Sequence, residues 1–282
     1  MGVKSKIKEY NFITWGGLGD TLLMTPIFKY LSLQGNIVNV LASNKKYYDV
    51  LFNNPFINYL KLEEIDFNNF DQSKYIRPCY SNLFPSLFFE NTNASKLMGQ
   101  MIGLEINEAK PVIQLTHEEI NEVDIFIETN NLSNLITINP YTDDNPNKEW
   151  LDENWIDLVS KLNANGYSIV QLGREGHPKI KGIDFNIPFS IRFSIGLIYR
   201  STVFIGIDSF LNHVTAALNT NAIILFVPTI PAVYGHENCE VISNNQKCSP
   251  CDEILGKIKC PFDKQCMRLI TVEDVLKLLY KL

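Results

Sequence analysis

The sequence has no long apolar run and no excess of positive charge. No segment reaches the roughly 18 uninterrupted apolar residues of a transmembrane helix, and the opening stretch MGVKSKIKEYNF lacks the apolar core of a signal peptide. The 31 acidic residues outnumber the 25 basic ones, which gives a formal net charge of −6. An acidic chain is poorly suited to binding nucleic-acid phosphates. We therefore expect a cytoplasmic protein without a transmembrane segment, whose partners are small molecules or neutral surfaces and not nucleic acid.

Two familiar phosphate-binding motifs are also missing in their complete form. The strand-like YNFITW leads into WGGLGD, a glycine-rich turn formed by Gly16, Gly17 and Gly19. A dinucleotide fingerprint would need a third glycine where Leu22 stands, and the Gly-Lys-Ser/Thr of a P-loop is absent. Two interpretations of this turn stay open. It is either a tight strand-to-helix connection with Asp20 as N-cap, or a ligand-binding loop at a helix N-terminus.

Strand-like and helix-like segments alternate in two consecutive series. The first runs from YNFITW through a helix over 20–33 to NIVNVLAS and INYLKL, and the second begins at LITINPY and ends at AIILFVP. This alternation is typical of βαβ units around a parallel sheet. We predict two Rossmann-like domains, 1–132 and 133–282, the second ending in the amphipathic helix TVEDVLKLLYKL.

A polar segment follows one strand of the second series. Asp208 and Ser209 stand at the carboxyl end of the strand FIGI and at the start of a helix, where open α/β sheets bind ligands. His213 lies in the first turns of that helix. Taken alone, His213 is typical of a packed helix residue, but its position behind Asp-Ser favours a binding site.

Four of the six cysteines cluster in the segment 248–266. Cys248, Cys251, Cys260 and Cys266 have the spacing C-x2-C-x8-C-x5-C, whereas the remaining two cysteines have no such companions. In a reducing compartment, four thiolates of which the first two are close in sequence favour a tetrahedral metal site rather than four cysteines without a metal. Four ligands leave no open position, so the site would be structural, and its metal would be zinc or iron.

Taken in order, these motifs resemble glycosyltransferase family 9, the ADP-heptose:lipopolysaccharide heptosyltransferases and their relatives. GGLGDTLLMTP resembles the Gly-Asp-x-Leu-x-x-x-Pro opening of the family, and NPYTDDNPNKEW resembles its loop with a donor-contacting lysine followed by tryptophan. QLGREG resembles the Gly-x-Glu of the family, and GIDSFLNHVTAAL resembles its Asp-Ser/Thr-Gly-Leu-x-His block. KCSPC and QCMR resemble the cysteine-containing segments of many relatives. Phe210 replaces the usual glycine after Asp-Ser, and the N-terminal domain is short for the family.

The resemblance implies a GT-B fold, in which two Rossmann-like domains face a cleft. The first domain would bind an acceptor, and the second a nucleoside diphosphate sugar such as ADP-heptose. The acceptor hydroxyl could belong to a saccharide, a lipid-linked glycan or a protein, and a homo-oligomer stays open. No catalytic divalent ion is expected.

The resemblance also implies roles for single residues. Asp20 would be the general base of an inverting transfer of heptose or a related hexose. Donor binding falls to Lys148, Glu175, Asp208, Ser209 and His213. Lys148 and the helix N-terminus at Ser209 would stabilise the leaving diphosphate, Glu175 suits the ribose hydroxyls, and His213 suits a phosphate or sugar oxygen.

Two alternatives belong to other functional classes. A catalytically silent nucleotide-sugar-binding or assembly module is favoured by Phe210 and by the short first domain. An NAD-dependent oxidoreductase would also open on a Rossmann turn, but the missing third glycine at Leu22 disfavours it.

Overall fold

The computed structural model describes residues 7–78, 92–143, 145–183, 185, 188–244, 246–251 and 259–282. Contacts within the chain divide it into two compact units, Met1–Gln114 and Leu115–Leu282. Each unit is built around its own parallel sheet, as the alternating pattern predicts. Across the described ranges, none of the helices combines the length and the apolar character that crossing a membrane requires.

The first unit contains a three-stranded parallel sheet in the order β1-β2-β3, with Phe12 opposite Val40 and Val40 opposite Leu60. Its elements are β1 (Glu9–Ile13), α1 (Leu18–Leu23), α2 (Thr25–Leu33), β2 (Ile37–Ala42), α3 (Lys45–Leu51), β3 (Tyr59–Leu62), a 3₁₀ turn (Gln72–Lys74) and α4 (Ala94–Met101).

The single helix predicted over 20–33 is two helices, α1 and α2, separated at Met24. Pro26 has no N–H to donate to the carbonyl oxygen of Leu22, so the helical hydrogen-bond ladder is interrupted there. The hydroxyl of Thr25 donates to that carbonyl instead, at 2.7 Å. The carbonyl oxygen of Leu22 therefore keeps a hydrogen-bond partner despite the break.

The second unit contains a five-stranded parallel sheet in the order β5-β4-β6-β7-β8. β4, β6 and β7 are buried along their whole length, as expected of central strands covered on both faces. Its elements are α5 (His117–Thr129), β4 (Ile136–Asn139), a 3₁₀ turn (Pro146–Lys148), α6 (Asp152–Ala164), β5 (Ile169–Gln171), α7 (Ile191–Arg200), β6 (Val203–Ile207), α8 (Phe210–Leu218), β7 (Ala222–Leu225), α9 (Pro231–Tyr234), β8 (Cys239–Ile242), α10 (Gln265–Arg268) and α11 (Val272–Leu279).

The contacts assign α5 to the second unit, whereas the sequence places the domain boundary after this helix, at residue 132. Two bidentate ion pairs join α5 to α7. Arg192 binds Glu119 and Arg200 binds Asp124, with N···O distances of 2.6 Å. The helices also approach closely at Gly196, where an added Cβ would lie 2.6 Å from the side chain of an α5 valine. An amphipathic pattern identifies a helix but not the sheet on which it packs.

Candidate functional site

A buried ion pair lies at the carboxyl edge of the sheet in the second unit. Asp208 directly follows β6, and Lys148 ends the 3₁₀ turn after β4. Lys148 Nζ is 3.2 Å from Asp208 Oδ2, with side chains only 12% and 6% exposed. Because β4 and β6 are adjacent parallel strands, the connections that leave their ends meet at one edge. The structure therefore brings together two predicted donor-binding residues 60 positions apart.

Ser209, which the sequence places at the start of a helix, is the N-cap of α8. Its Oγ accepts a hydrogen bond from the backbone N–H of Leu211 at 3.3 Å and donates one to Asn139 Oδ1 at 2.8 Å. The amide of Asn139 donates to the carbonyls of Tyr141 and Leu172 at 3.2 and 3.3 Å. Asn139 thus ties together the ends of β4 and β5 and the start of α8. Asn139 was not predicted from the sequence, although a polar residue closing the apolar strand LITIN is a usable signal.

His213 lies in α8 and is 4% exposed. Its Nδ1 is 2.8 Å from Nε2 of His236, which follows the short helix α9. Burial lowers the pKa of His213 to about 3, and the positive charge of Lys148 contributes to the same shift. His236 was not predicted as a site residue, because nothing in the sequence around it indicates a partner 23 residues earlier.

Glu175 lies exposed in the turn after β5. Arg174 and His177 flank it, and both bind Asp143. Arg174 forms an ion pair with Asp143, and His177 Nε2 is 3.0 Å from Asp143 Oδ1. Arg174 Nη1 also donates to the backbone carbonyl of Glu175 at 2.9 Å. The turn is therefore held from both sides while the carboxylate of Glu175 faces solvent, and its donor-binding role stays a prediction.

In the first unit, the glycine-rich turn connects β1 to α1. Gly17, not Asp20, is the N-cap, and Asp20 lies one turn inside the helix, where its Oδ2 accepts the N–H of Gly17 at 2.7 Å. Gly16 adopts φ +77°, and an added Cβ there would lie 2.5 Å from that same oxygen. The N-cap interpretation is thus corrected, because a carboxylate at the third helical position reaches back to the cap residue. Gly19 is the second residue of α1.

A cavity of about 380 Å³ opens beside this turn, within the first unit. Tyr47 hydrogen-bonds the carbonyl oxygen of Gly16, and the guanidinium of Arg77 lies 5.2 Å from the centre of the Trp15 ring. The cavity is lined by Trp15, Gly16, Ser43, Asn44, Tyr47, Glu64, Ile65, Phe67 and Arg77. Aromatic faces combined with amide, carboxylate and guanidinium groups provide both stacking and hydrogen-bonding surfaces.

The predicted four-cysteine metal site is not confirmed. Within the described residues, which include Cys248, Cys251, Cys260 and Cys266 but not 252–258, no three His, Cys, Asp or Glu side chains form a group able to hold a metal ion. Burial raises the pKa of the Cys266 thiol, and the charges of Cys248 and Cys260 raise it further. The spacing of the cysteines indicated their proximity but not a closed ligand shell, and the side chains as placed do not fit a metal.

The cysteine segment instead contacts the turn that carries Lys148. The backbone N–H of Cys260 donates to Asn147 Oδ1 at 3.1 Å. Lys264 Nζ lies 3.4 Å from the carbonyl oxygen of Pro146 and 3.3 Å from that of Glu149. These three contacts span more than 100 positions of sequence and fix the backbone on both sides of Lys148. These contacts were not predicted from the sequence.

The family model described as "Glycosyltransferase family 9 (heptosyltransferase)" matches residues 188–261. The matched region contains Asp208, Ser209, His213 and three of the four clustered cysteines. The resemblance predicted from the sequence is thereby confirmed, and it supports glycosyltransferase activity. No curated protein matches the chain.

Several solved structures share the fold. A glycosyltransferase family 9 protein from Veillonella parvula is 16% identical, with a TM-score of 0.73 and coverage of 98% of this chain and 97% of that one. ADP-heptose lps heptosyltransferase II of E. coli is also 16% identical, with a TM-score of 0.64 and 98% of each chain covered. The iron-containing dodecameric glycosyltransferase TibC of enterotoxigenic E. coli H10407 is 16% identical, with a TM-score of 0.69, and covers 100% of this chain and 77% of its own.

Proposed function

We propose that this chain transfers a sugar from a nucleoside diphosphate donor, bound by the second unit, to a hydroxyl group of an acceptor, bound by the first. The observation that carries the proposal is the buried pair of Lys148 and Asp208 at the N-terminus of α8. Asp208 lies inside the region 188–261 that matches the glycosyltransferase family 9 model. A buried ammonium next to a helix N-terminus is a suitable environment for a diphosphate.

Asp208 has a definite task in this arrangement. Burying the ammonium of Lys148 without a counter-charge would cost several kcal/mol, and the carboxylate 3.2 Å away offsets that cost in the absence of donor. When the diphosphate binds, its oxygens can share Lys148 with Asp208. The lysine then neutralises the charge that develops on the leaving phosphate as the bond to the anomeric carbon breaks.

Asp20 is proposed as the general base. One carboxylate oxygen accepts the N–H of Gly17, and a carboxylate offers about four lone-pair positions, so capping the helix leaves capacity to accept a proton. Proton removal by Asp20 as the acceptor oxygen attacks the anomeric carbon gives direct displacement with inversion. The step needs no covalent intermediate.

The proposed donor is ADP-heptose or a nucleoside diphosphate sugar like it. One TibC structure is a complex with ADP-D-beta-D-heptose, and the fold of this chain is similar to it at a TM-score of 0.68. The proposed acceptor is a saccharide, a lipid-linked glycan or a protein hydroxyl. The cavity beside Gly16 and Tyr47 is the proposed acceptor surface, because it adjoins the turn that Asp20 caps.

Slow hydrolysis of nucleotide sugars tests the proposal, since water can replace an unknown acceptor. We expect mass spectrometry to detect release of the nucleoside diphosphate from at least one member of a panel of ADP-, GDP- and UDP-sugars. Lys148→Ala should abolish the release, whereas Lys161→Ala, which removes an exposed lysine paired with Asp157 and Glu273, should not change it.

The silent-module alternative predicts a different outcome. Phe210 occupies the first position of α8, where the family has glycine, and the alternative holds that its side chain obstructs productive donor binding. Nucleotide-sugar binding by calorimetry with no turnover of any donor would favour that alternative. Absence of both binding and turnover would refute the proposed function.

A further inference from the structure

A second histidine packs against His213 and has no role in the transfer step described above. His213 Nδ1 and His236 Nε2 are 2.8 Å apart, and the two ring planes are 87° apart. His213 is 4% exposed, so water has little access to replace the hydrogen bond. An edge-on contact of this kind orients the ring of His213 through one specific atom.

The loop that carries His236 is anchored to α8 independently of this contact. Asn212 Nδ2 donates to the carbonyl oxygen of Tyr234 at 3.0 Å, on one side of His236. Asn238 Nδ2 donates to the carbonyl oxygen of Thr215 at 3.2 Å, on the other side. Replacing the His236 ring therefore leaves the loop attached to the helix.

Both imidazoles are neutral near pH 7. Burial, helped by the charge of Lys148, lowers the pKa of His213 to about 3. Burial and the adjacent His213 also lower the pKa of His236 to about 3, against a smaller opposing effect of Asp208. Each neutral ring carries one N–H, and only one of the two protons can lie between the rings. The direction of this hydrogen bond consequently decides where His213 keeps its own proton.

We propose that His236 is a positioning residue that donates from Nε2 to Nδ1 of His213 and so keeps the proton of His213 on Nε2. A histidine that accepts at Nδ1 must donate at Nε2, and phosphate oxygens are acceptors only. The opposite tautomer would present a lone pair at Nε2 and repel a diphosphate. This inference rests on the proposed function, in which His213 contacts the donor.

The tautomer can be measured without any ligand. In the wild-type chain labelled with ¹⁵N, long-range ¹H–¹⁵N NMR distinguishes protonated from unprotonated ring nitrogens. We expect His213 to carry its proton on Nε2, and in His236→Gln to keep it there, because the glutamine amide can donate where the imidazole Nε2 does. A proton on Nδ1 of His213 in the wild-type chain overturns the inference.

Nucleotide affinity then separates positioning from mere packing. His236→Gln retains a donor, and His236→Leu retains bulk but no donor. For whichever of ADP, GDP and UDP binds the wild-type chain most tightly, we expect calorimetry to give a Kd within about twofold for the glutamine variant. The leucine variant should bind about tenfold more weakly or worse. Equal affinities in the two variants overturn the inference.

Different outcomes refute the proposed function and the role of His236. If none of the three nucleotides binds the wild-type chain, the proposed function fails, and this inference fails with it. If the wild-type chain binds and His236→Leu binds equally well, only the inference about His236 fails. Should His236→Leu not fold, as judged by circular dichroism, the wild-type tautomer and the affinity of His236→Gln still decide the question.

Discussion

Asp20 has a helix-capping contact and a proposed catalytic role, and substitutions can separate the two. Asp20→Asn keeps an oxygen that can accept the N–H of Gly17, at 2.7 Å in the wild-type chain, but it removes the negative charge needed to accept a proton. Asp20→Ala removes both functions. General base catalysis contributes about 10²–10⁴-fold, whereas losing a capping interaction costs about 0.5–2 kcal/mol.

These magnitudes lead to distinct expectations. Asp20→Asn should lose about 10²-fold or more in nucleotide-sugar hydrolysis, with unfolding free energy lowered by less than about 1 kcal/mol. Asp20→Ala should lose the same activity and about 1 kcal/mol of stability, which is a few degrees in melting temperature. Donor affinity should be unchanged in both, because the proposed donor residues lie in the other unit.

A matched control exists in the second unit. Asp274 occupies the same third position of a helix, and its Oδ2 accepts the N–H of Thr271 at 2.9 Å. Asp274 Oδ2 also accepts the hydroxyl of Thr271 at 2.7 Å, so Asp274→Asn should lower stability at least as much as Asp20→Asn, without any loss of activity. Asp20→Asn with hydrolysis within about threefold of the wild-type rate would remove Asp20 from the mechanism. A parallel collapse of melting temperature and activity would assign it to capping alone.

Further expectations concern the second unit. Ser209→Ala should weaken nucleoside diphosphate binding in calorimetry, because it removes the cap of α8 and the bond to Asn139, and unchanged affinity would exclude α8 as the phosphate site. Phe210→Gly should preserve or improve that affinity if the ring only packs beside the site, whereas a large loss would mean that the ring stacks on base or sugar. Because the described cysteine side chains form no metal-holding group, elemental analysis should find no stoichiometric metal and Cys248→Ser should leave stability unchanged, whereas about one zinc or iron per chain, lost together with stability in that variant, would restore the prediction from the cysteine spacing. Burial raises the pKa of Glu119, but hydrogen bonds from Arg192 and from the backbone of Thr116 outweigh it and lower the pKa below its usual value. Its ionised form therefore stabilises the fold above about pH 4.3, and that contribution is lost as the pH falls through the lowered pKa, so Glu119→Gln should flatten the acid-side decline in unfolding free energy.

The sequence alone was sufficient to predict a parallel sheet in each half of the chain. Alternation of short apolar strands with helical patterns predicted two parallel sheets, because strand and helix periodicities are local properties that each segment carries by itself. The position of Asp208 and Ser209 at the end of β6 followed from the same local reasoning. The motif resemblance, which is also a matter of local residue order, was confirmed over residues 188–261.

Pairings between distant segments were decided by the tertiary structure. His236 reaches His213, Asn139 reaches Ser209, and Cys260 reaches Asn147 across 113 positions, through contacts for which no local pattern exists. No local pattern shows that α5 packs with the second unit either, and the alternation of strands and helices placed the domain boundary after this helix. Local periodicity determines which elements form and which faces are apolar. The order of the strands in the sheet determines which loop ends meet, and therefore which side chains share a site.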